Sequence, residues 1–215
     1  MVKRLRFSII GLLVLTLIVA LAASNVVTYR RLREVEPALE KLRNDVGELT
    51  VSNPNLLHAK SIPSFEDSTY RWRLHLPEDR GFNIRAVAGQ IPEQGLPRSG
   101  SAKNLVERSY APQTSDSEMI ETVAVTRNQK GRWQLTLDDG DTSSIAPLPE
   151  NLNPWLEKSS GRAWNVAGRK ETAAASKGEP LYLLRMRKAK EMPGGISTID
   201  MQPTDGILVW IEETP

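Results

Sequence analysis

Hydrophobic residues follow three different patterns along this chain, and each pattern predicts a different kind of structure. The first is an almost wholly apolar run over residues 7–23, with no charged residue between it and Arg30. The uncharged span of 23 residues, 7–29, is long enough to cross a hydrocarbon core of about 30 Å as a helix. This pattern predicts a basic tail at residues 1–6 and a transmembrane anchor at residues 7–29.

A cleavable signal peptide is the alternative to a retained anchor. Ala20-Leu21-Ala22 fits the small-x-small cleavage site that follows a basic segment and an apolar core. The apolar run is long for such a core, and an amphipathic segment follows it without a spacer, which favours the anchor. Basic residues flank the anchor on both sides, so the positive-inside rule is nearly balanced. Because a very short tail usually stays in the cytosol, we expect a single-pass protein of the cell membrane with an exoplasmic C-terminal domain.

The second pattern is a heptad repeat directly after the apolar run. It predicts an amphipathic, coiled-coil stalk over residues 30–50 that pairs with a second copy of the chain or with a partner helix. Pro37 falls at an outward-facing position of the repeat, where a kink does least harm, or it begins a second helix. Packing of this helix on its own domain is the alternative. The apolar positions lie three and four residues apart: Leu32, Val35, Leu39, Leu42, Val46 and Leu49.

The third pattern has a period of two and occupies residues 51–215. In "TYRWRLHL", for example, Trp72 and Leu74 share one face of a strand, while Arg73 and His75 share the other, which we expect to be solvated. About seven such strands, separated by turns such as Asp139-Gly140, predict a mainly β protein whose domain is an all-β sandwich or an open barrel. Two polar stretches, 92–118 and 147–180, are predicted to be long loops.

Charge and composition exclude several kinds of function. Residues 1–50 hold 8 of the 28 basic residues and 5 of the 26 acidic ones, so residues 51–215 hold 20 and 21, and the excess positive charge belongs to the anchor region. Nucleic-acid binding is therefore not predicted, because it needs clustered positive charge on the binding face. The absence of cysteine excludes disulfides and thiol catalysis. With only two histidines and no suitable ligand spacing, no metal or other cofactor is predicted.

No residue pattern in the domain forms a catalytic signature. Ser101 and Lys103 lie too close together in a polar stretch for a Ser/Lys nucleophile, which needs a desolvated lysine from a separate strand. The dense basic cluster around Arg185 and Arg187 is interpreted as a solvated strand face. Trp155 and Trp164 lie in a predicted loop and are the aromatic residues we single out for stacking on a sugar ring.

Two resemblances concern the N-terminal part of the chain. "RFSIIGLLVL" followed by "VVTYRRLREVE" resembles uncharacterised bacterial single-pass membrane proteins in which a brief coiled coil joins an anchor to a β-rich domain, and it implies no activity. Residues 7–14 are also similar to type IV pilin N-termini, although Arg6 and Gly11 depart from that pattern.

Together these patterns predict a non-enzymatic, membrane-anchored binding or scaffolding protein of the bacterial envelope, self-associating through its stalk. Two alternatives are kept. One is an envelope polysaccharide-binding module or hydrolase, and the other is a pilin-like subunit. The partners expected are the lipid bilayer, a second chain or partner helix at residues 30–49, and an envelope ligand of unknown identity.

Overall fold

The computed structural model describes residues 9–112, 117–157, 162–191, 197–198 and 200–214. The chain divides into two units, a helical one that ends at Asn44 and a β one that starts at Asp45. The basic tail predicted at residues 1–6, and Phe7 and Ser8 of the pilin-like stretch, lie outside the described residues.

A single helix, α1 (Ile9–Asp45), continues through Pro37 without a break. Within it, the 21-residue stretch Leu13–Arg33 is long and apolar enough to cross a membrane, and its side chains are exposed. The helix ends before the last two positions of the heptad repeat, so the predicted stalk is shorter than residues 30–50. The cause is Gly47, whose φ of +65° is the left-handed conformation that commonly stops a helix.

The β unit is built from two antiparallel sheets. In spatial order, the first sheet contains β7 (Ser143–Pro147), β6 (Trp133–Asp138), β5 (Ser117–Arg127), β2 (Thr69–Leu76), β1 (Leu57–Ile62) and β9 (Ala173–Ala175). The second contains β4 (Ala102–Tyr110), β3 (Phe82–Ile91), β13 (Thr204–Glu213), β10 (Leu181–Lys188) and β8 (Arg162–Val166). A short ribbon pairs β11 (Lys190–Glu191) with β12 (Ser197–Thr198). The mainly β prediction is confirmed.

The two sheets bury one shared core between them, a sandwich-like arrangement. Trp72 and Leu74 enter this core from the first sheet, and Ile84 and Val209 enter it from the second. The apolar run of β13 is buried on both faces, since Leu208 belongs to a separate cluster on the outer face of its sheet. The period-two pattern of β2 and the unbroken apolar run of β13 are thus both explained by burial.

The two stretches predicted to be long loops contain regular structure. Strand β4 runs through the middle of residues 92–118 as an edge strand, so the continuous loop predicted there is wrong. Residues 147–180 contain a 3₁₀ turn (Glu150–Leu152), the one-turn helix α2 (Asn153–Leu156) and strands β8 and β9. These segments have short or mostly polar strands, which give little periodic signal.

The basic cluster of β10 is buried, which overturns its interpretation as a solvated face. Arg185 donates hydrogen bonds to the carbonyls of Pro92 and Gly95, at 2.5 and 2.9 Å. Arg187 donates to the carbonyl of Ile91 at 3.1 Å and to two carbonyls in the segment before β13, those of residues 200 and 202, both at 2.6 Å. The two guanidinium groups therefore hold neighbouring loops against the second sheet.

Candidate functional site

The outer face of the first sheet carries an open cleft of about 680 Å³. Its floor consists of side chains from β2, β5 and β6, its roof is the loop of residues 63–66, and one end is closed by the turn at residues 138–140. This volume lies within the range of about 300–1,000 Å³ that small-molecule sites occupy. We call this feature the cleft.

The floor of the cleft has a row of three polar residues on three neighbouring strands. Arg71 pairs with Thr122, and Thr122 pairs with Asp138, in the antiparallel register of the sheet. Residues directly opposite one another share a face, and neighbouring strands lie about 4.8 Å apart, so the row spans roughly 10 Å. A guanidinium, a hydroxyl and a carboxylate thus stand in line, and the adjacent row adds Ala124 and Thr136.

The roof loop presents a fully exposed aromatic ring. Phe65 lines the cleft with a relative exposure of 104 %. The loop is attached to the sheet beside it, because the carbonyl of Ser68 accepts a hydrogen bond from the Val125 N–H at 3.0 Å. It is also closed internally by a bond from the Thr69 N–H to the Glu66 carbonyl at 3.3 Å. Backbone hydrogen bonds thus attach the end of this loop to the sheet, while the Phe65 ring at the rim of the cleft stays exposed.

The turn at the end of the cleft is ordered by two aspartates. Gly140 has a φ of +93°, as the predicted Asp-Gly turn requires, and its N–H donates to Oδ1 of Asp138 at 2.7 Å. Oδ1 of Asp139 accepts from the N–H groups of Thr142 and Asp141, at 2.7 and 3.1 Å. The other oxygen of Asp139 is directed to the opposite face of the sheet, where it joins a buried polar cluster.

This buried cluster consists of Arg108, Tyr110, Glu121 and Asp139. The Tyr110 hydroxyl donates to Oε2 of Glu121 at 2.9 Å and lies 3.3 Å from Oδ2 of Asp139. Nη1 of Arg108 lies 3.5 Å from Oε2 of Glu121 and 3.3 Å from Oδ2 of Asp139. Because Arg108 and Tyr110 come from β4 and the two acids from β5 and the turn after β6, the cluster joins the two sheets at one corner of the sandwich.

Glu121 has the most perturbed acid–base equilibrium in this cluster. It is 0 % exposed, and within the part of the chain that the structure describes its Oε1 has no hydrogen-bond partner. Burial raises the pKa of Glu121 to about 7, against the opposing effects of the Tyr110 hydrogen bond and the Arg108 charge. Burial also raises the pKa of Tyr110, so its hydroxyl stays protonated.

Asp139 behaves in the opposite way. Burial acts to raise its pKa, but the backbone donors of Thr142 and Asp141 and the charge of Arg108 outweigh burial and hold the pKa below its usual value. Asp139 is therefore ionised wherever the protein is folded near neutral pH, while Glu121 exchanges a proton there.

The charge balance of the cleft is negative. Its lining includes one base, Arg71, and two acids, Glu66 and Asp138, whose charges face the cleft. The charge of Asp139 is compensated by Arg108 on the other side of the sheet, so the formal balance is 1 − 2 = −1. Such a surface repels polyanions and accepts neutral or cationic ligands.

The aromatic residues singled out from the sequence do not line this cleft. Trp155 lies in α2 and is only 4 % exposed, packed into the shared core, so its predicted role in stacking on a ligand is wrong for this structure. Its helix is one turn long and turns the ring inward, which sequence periodicity over four residues cannot indicate. Trp164 has its backbone in β8, but its side chain lies outside the described residues.

The six apolar positions of the heptad repeat, here called the seam, differ in exposure and in secondary structure. Leu32, Val35 and Leu42 are exposed on α1, and the side chain of Leu39 lies outside the described residues. Val46 and Leu49 follow the helix, the first exposed and the second half-buried, and so do not continue the helical seam.

His75 is also placed differently from expectation. It is 4 % exposed and pairs across the sheet with His58, with ring centroids 5.7 Å apart. Nε2 of His75 lies 3.1 Å from the Pro54 carbonyl, and Nε2 of His58 lies 2.8 Å from the Asn53 carbonyl. The face predicted to be solvated is covered here by the segment before β1. Among the described residues, no group of three or more histidine, aspartate or glutamate side chains could hold a metal ion.

No family model, no curated protein and no solved structure matches this chain. The functional argument therefore rests on the geometry of the chain itself.

Proposed function

We propose that this protein is a non-enzymatic binding or scaffolding protein of the bacterial envelope, anchored in the membrane by a single helix and carrying its β unit on the exoplasmic side. The observation that supports the proposal is the exposed stretch Leu13–Arg33 of α1, none of which is buried within the chain. Apart from a few polar residues and the arginines at its C-terminal end, this stretch is apolar. Its exposed apolar side chains are unfavourable in water, and a bilayer removes them from water.

The β unit is compatible with a tethered binding role because it contains a hydrophobic core of its own. The core residues come from the two sheets and from the segment around α2. A unit that buries its own core can be presented at a membrane surface without support from the anchor. The cleft gives this unit a surface suited to a ligand, which favours binding over scaffolding alone.

Self-association through the helix is the second part of the proposal. Leu32, Val35 and Leu42 are more than half exposed in the single chain, at 61 %, 59 % and 59 %. Their spacing is that of a coiled-coil seam, so a second chain would bury them together. Confinement of two chains to one membrane raises their effective concentration, which allows even a short seam to pair them.

The anchor and its orientation are tested with the full chain expressed in bacteria. We expect the protein to stay in the membrane pellet after alkaline carbonate extraction. A chain without cysteine also allows a single added thiol to report topology, and Lys130→Cys places it in the exposed turn between β5 and β6. Labelling of intact spheroplasts by an impermeant maleimide is the expected result. A soluble protein would contradict the anchor, and labelling only after lysis would contradict the exoplasmic orientation.

The seam is tested by crosslinking in the same membranes. Val35→Cys places a thiol at a seam position, and Arg33→Cys places one two residues away on an outward position of the same helix. We expect rapid disulfide formation between chains for Val35→Cys and little for Arg33→Cys. Equal crosslinking of the two variants would mean random collision and would remove the coiled-coil part of the proposal.

A further inference from the structure

We propose that the cleft is a binding site for an uncharged saccharide chain. This inference deepens the proposed function and rests on it, since it assigns a ligand class to the surface that the anchor would present. Three independent properties of the cleft lead to it: the hydrogen-bonding groups of the floor, the aromatic ring of the roof and the sign of the charge.

The floor offers the polar groups that a sugar ring requires. Adjacent hydroxyls of a sugar each donate and accept, and they pair well with planar groups that have two donors or two acceptors side by side. Arg71 supplies two such donors, Asp138 supplies acceptors, and Thr122 between them can do both. With a row about 10 Å long, the three groups can contact two consecutive sugar rings.

The guanidinium of Arg71 has no internal partner to hold it. Among the described residues, no hydrogen bond or ion pair engages this side chain, although it is half-buried at the cleft floor. By contrast, Arg85 on the other sheet makes ion pairs with Glu107 and Glu212, both shorter than 3.0 Å. A guanidinium group without a partner in the protein, at the floor of a cleft, can donate hydrogen bonds to a ligand oxygen.

The roof supplies the apolar contact. The C–H faces of a sugar ring pack on aromatic rings, and Phe65 stands at the rim with its whole side chain exposed. Its position at the rim, beside the polar row of the floor, would let one ring face pack on a sugar that hydrogen-bonds to that row. Pro63 precedes it and restricts the backbone of the roof loop, so less conformational entropy is lost on binding.

The charge selects against other polymers. A negative balance disfavours phosphate-bearing chains and acidic polysaccharides, and the single guanidinium of Arg71 is too little to hold them. An acyl chain is disfavoured because it would take Arg71 and Asp138 out of water without giving either charged group a hydrogen-bond partner.

The test uses the full chain in lipid nanodiscs and four probes at equal concentration: cellohexaose, maltohexaose, N-acetylated chitohexaose and the anionic hexagalacturonate. Binding is measured by isothermal titration calorimetry. We expect at least one uncharged hexasaccharide to bind and hexagalacturonate to bind at least tenfold more weakly. Phe65→Ala should weaken binding about tenfold because it removes the stacking contact, and Arg71→Gln should do the same because it removes a charged hydrogen-bond donor.

Met201→Ala is the matched control, because Met201 is also a highly exposed apolar residue but does not line the cleft. It should leave affinity unchanged, and Phe65→Ala should leave the thermal midpoint unchanged. Failure of all three uncharged probes, preference for the anionic probe, or equal affinity of Phe65→Ala and the unaltered chain would each overturn the saccharide site.

Retention in the nanodisc is recorded on the same samples. A chain that stays in the bilayer but binds no sugar overturns this inference and leaves the anchor intact. A chain that binds sugar but leaves the bilayer overturns the anchor and leaves the site intact.

Discussion

Replacement of Glu121 by glutamine tests the account of the buried cluster. The fold holds the pKa of Glu121 near 7, whereas its ordinary value is 4.5. Since the folded pKa is raised, the folded state binds the proton more tightly than the unfolded state. Stability from this group is therefore fully present below pH 4.5 and is lost as the pH rises through 7.

The magnitude follows from the difference between the two pKa values. The gap of 7 − 4.5 = 2.5 units corresponds to about 3 kcal/mol at about 1.36 kcal/mol per unit. Roughly 1 kcal/mol of this is lost by pH 5, so about 2 kcal/mol remains to be lost between pH 5 and pH 8. Glutamine is close in shape to the protonated acid and carries no charge, so Glu121→Gln removes this loss. The free energy of unfolding of the variant should rise by about 2 kcal/mol relative to the unaltered chain over that range.

The assay is denaturant unfolding of the full chain in mild detergent at pH 5, 6, 7 and 8, followed by tryptophan fluorescence. Glu78→Gln, at an exposed position of the β2–β3 turn, is the control and should give a difference that does not vary with pH. The depressed pKa of Asp139 acts in another window, since its contribution is lost only as the pH falls below the usual range of an aspartate. A constant difference between Glu121→Gln and the unaltered chain from pH 5 to pH 8 would refute the reasoning.

Two further predictions concern stability. Arg187→Met should lower the free energy of unfolding by about 2–4 kcal/mol, because it leaves the carbonyls that Arg187 binds without a donor. The control Lys188→Met, at an exposed neighbouring position, should change the free energy of unfolding by less than about 0.5 kcal/mol. Equal effects of the two substitutions in chemical denaturation would contradict the buried role of Arg187. Gly168→Ala should lower the free energy of unfolding by more than about 2 kcal/mol, because φ is +70° and the added Cβ would lie 2.5 Å from the Ala59 carbonyl oxygen. Gly178 has a similar φ of +78° but lies in open space, so Gly178→Ala should lower the free energy of unfolding by about 1 kcal/mol, from backbone strain alone. Thermal unfolding of the pair checks this order, and a cost no greater for Gly168→Ala would show that the close approach is absent.

Much of the fold could be predicted from local patterns. Strand β6 alternates because one of its faces is buried, and β13 does not alternate because both of its faces are buried. In β2 the apolar alternation marks the core face correctly, while His75 on the other face is also buried. Strand β4 gives no alternating apolar pattern in the sequence because it is a polar edge strand. Its residue Arg108 is buried together with acidic partners more than ten residues away in the chain, which the local sequence does not indicate. The heptad spacing continues to Leu49 and so predicts a longer helix, but α1 ends at Asp45, just before Gly47.

The cleft could not be found from the sequence because it depends on register. Arg71 is brought beside Thr122 by the pairing of β2 with β5, two strands distant in the chain, and Thr122 faces Asp138 only through the exact register of β5 and β6. Phe65 has no periodic neighbours that would mark it. Glu121 did leave a signal, since it shares the period-two face of Val123 and Val125, and an acid on a buried face calls for a partner.

The position of β13 has a consequence for how the protein is made. This strand is hydrogen-bonded to β3 on one side and to β10 on the other. Strand β3 is synthesised long before it, and β10 shortly before it. Until residue 213 has left the ribosome, the edges of β3 and β10 that pair with β13 expose unpaired backbone N–H and C=O groups beside apolar side chains. The second sheet therefore forms late and from distant contacts, a slow route to folding. During translation the nascent β unit has to be kept from aggregating for nearly the whole time that its chain is being made.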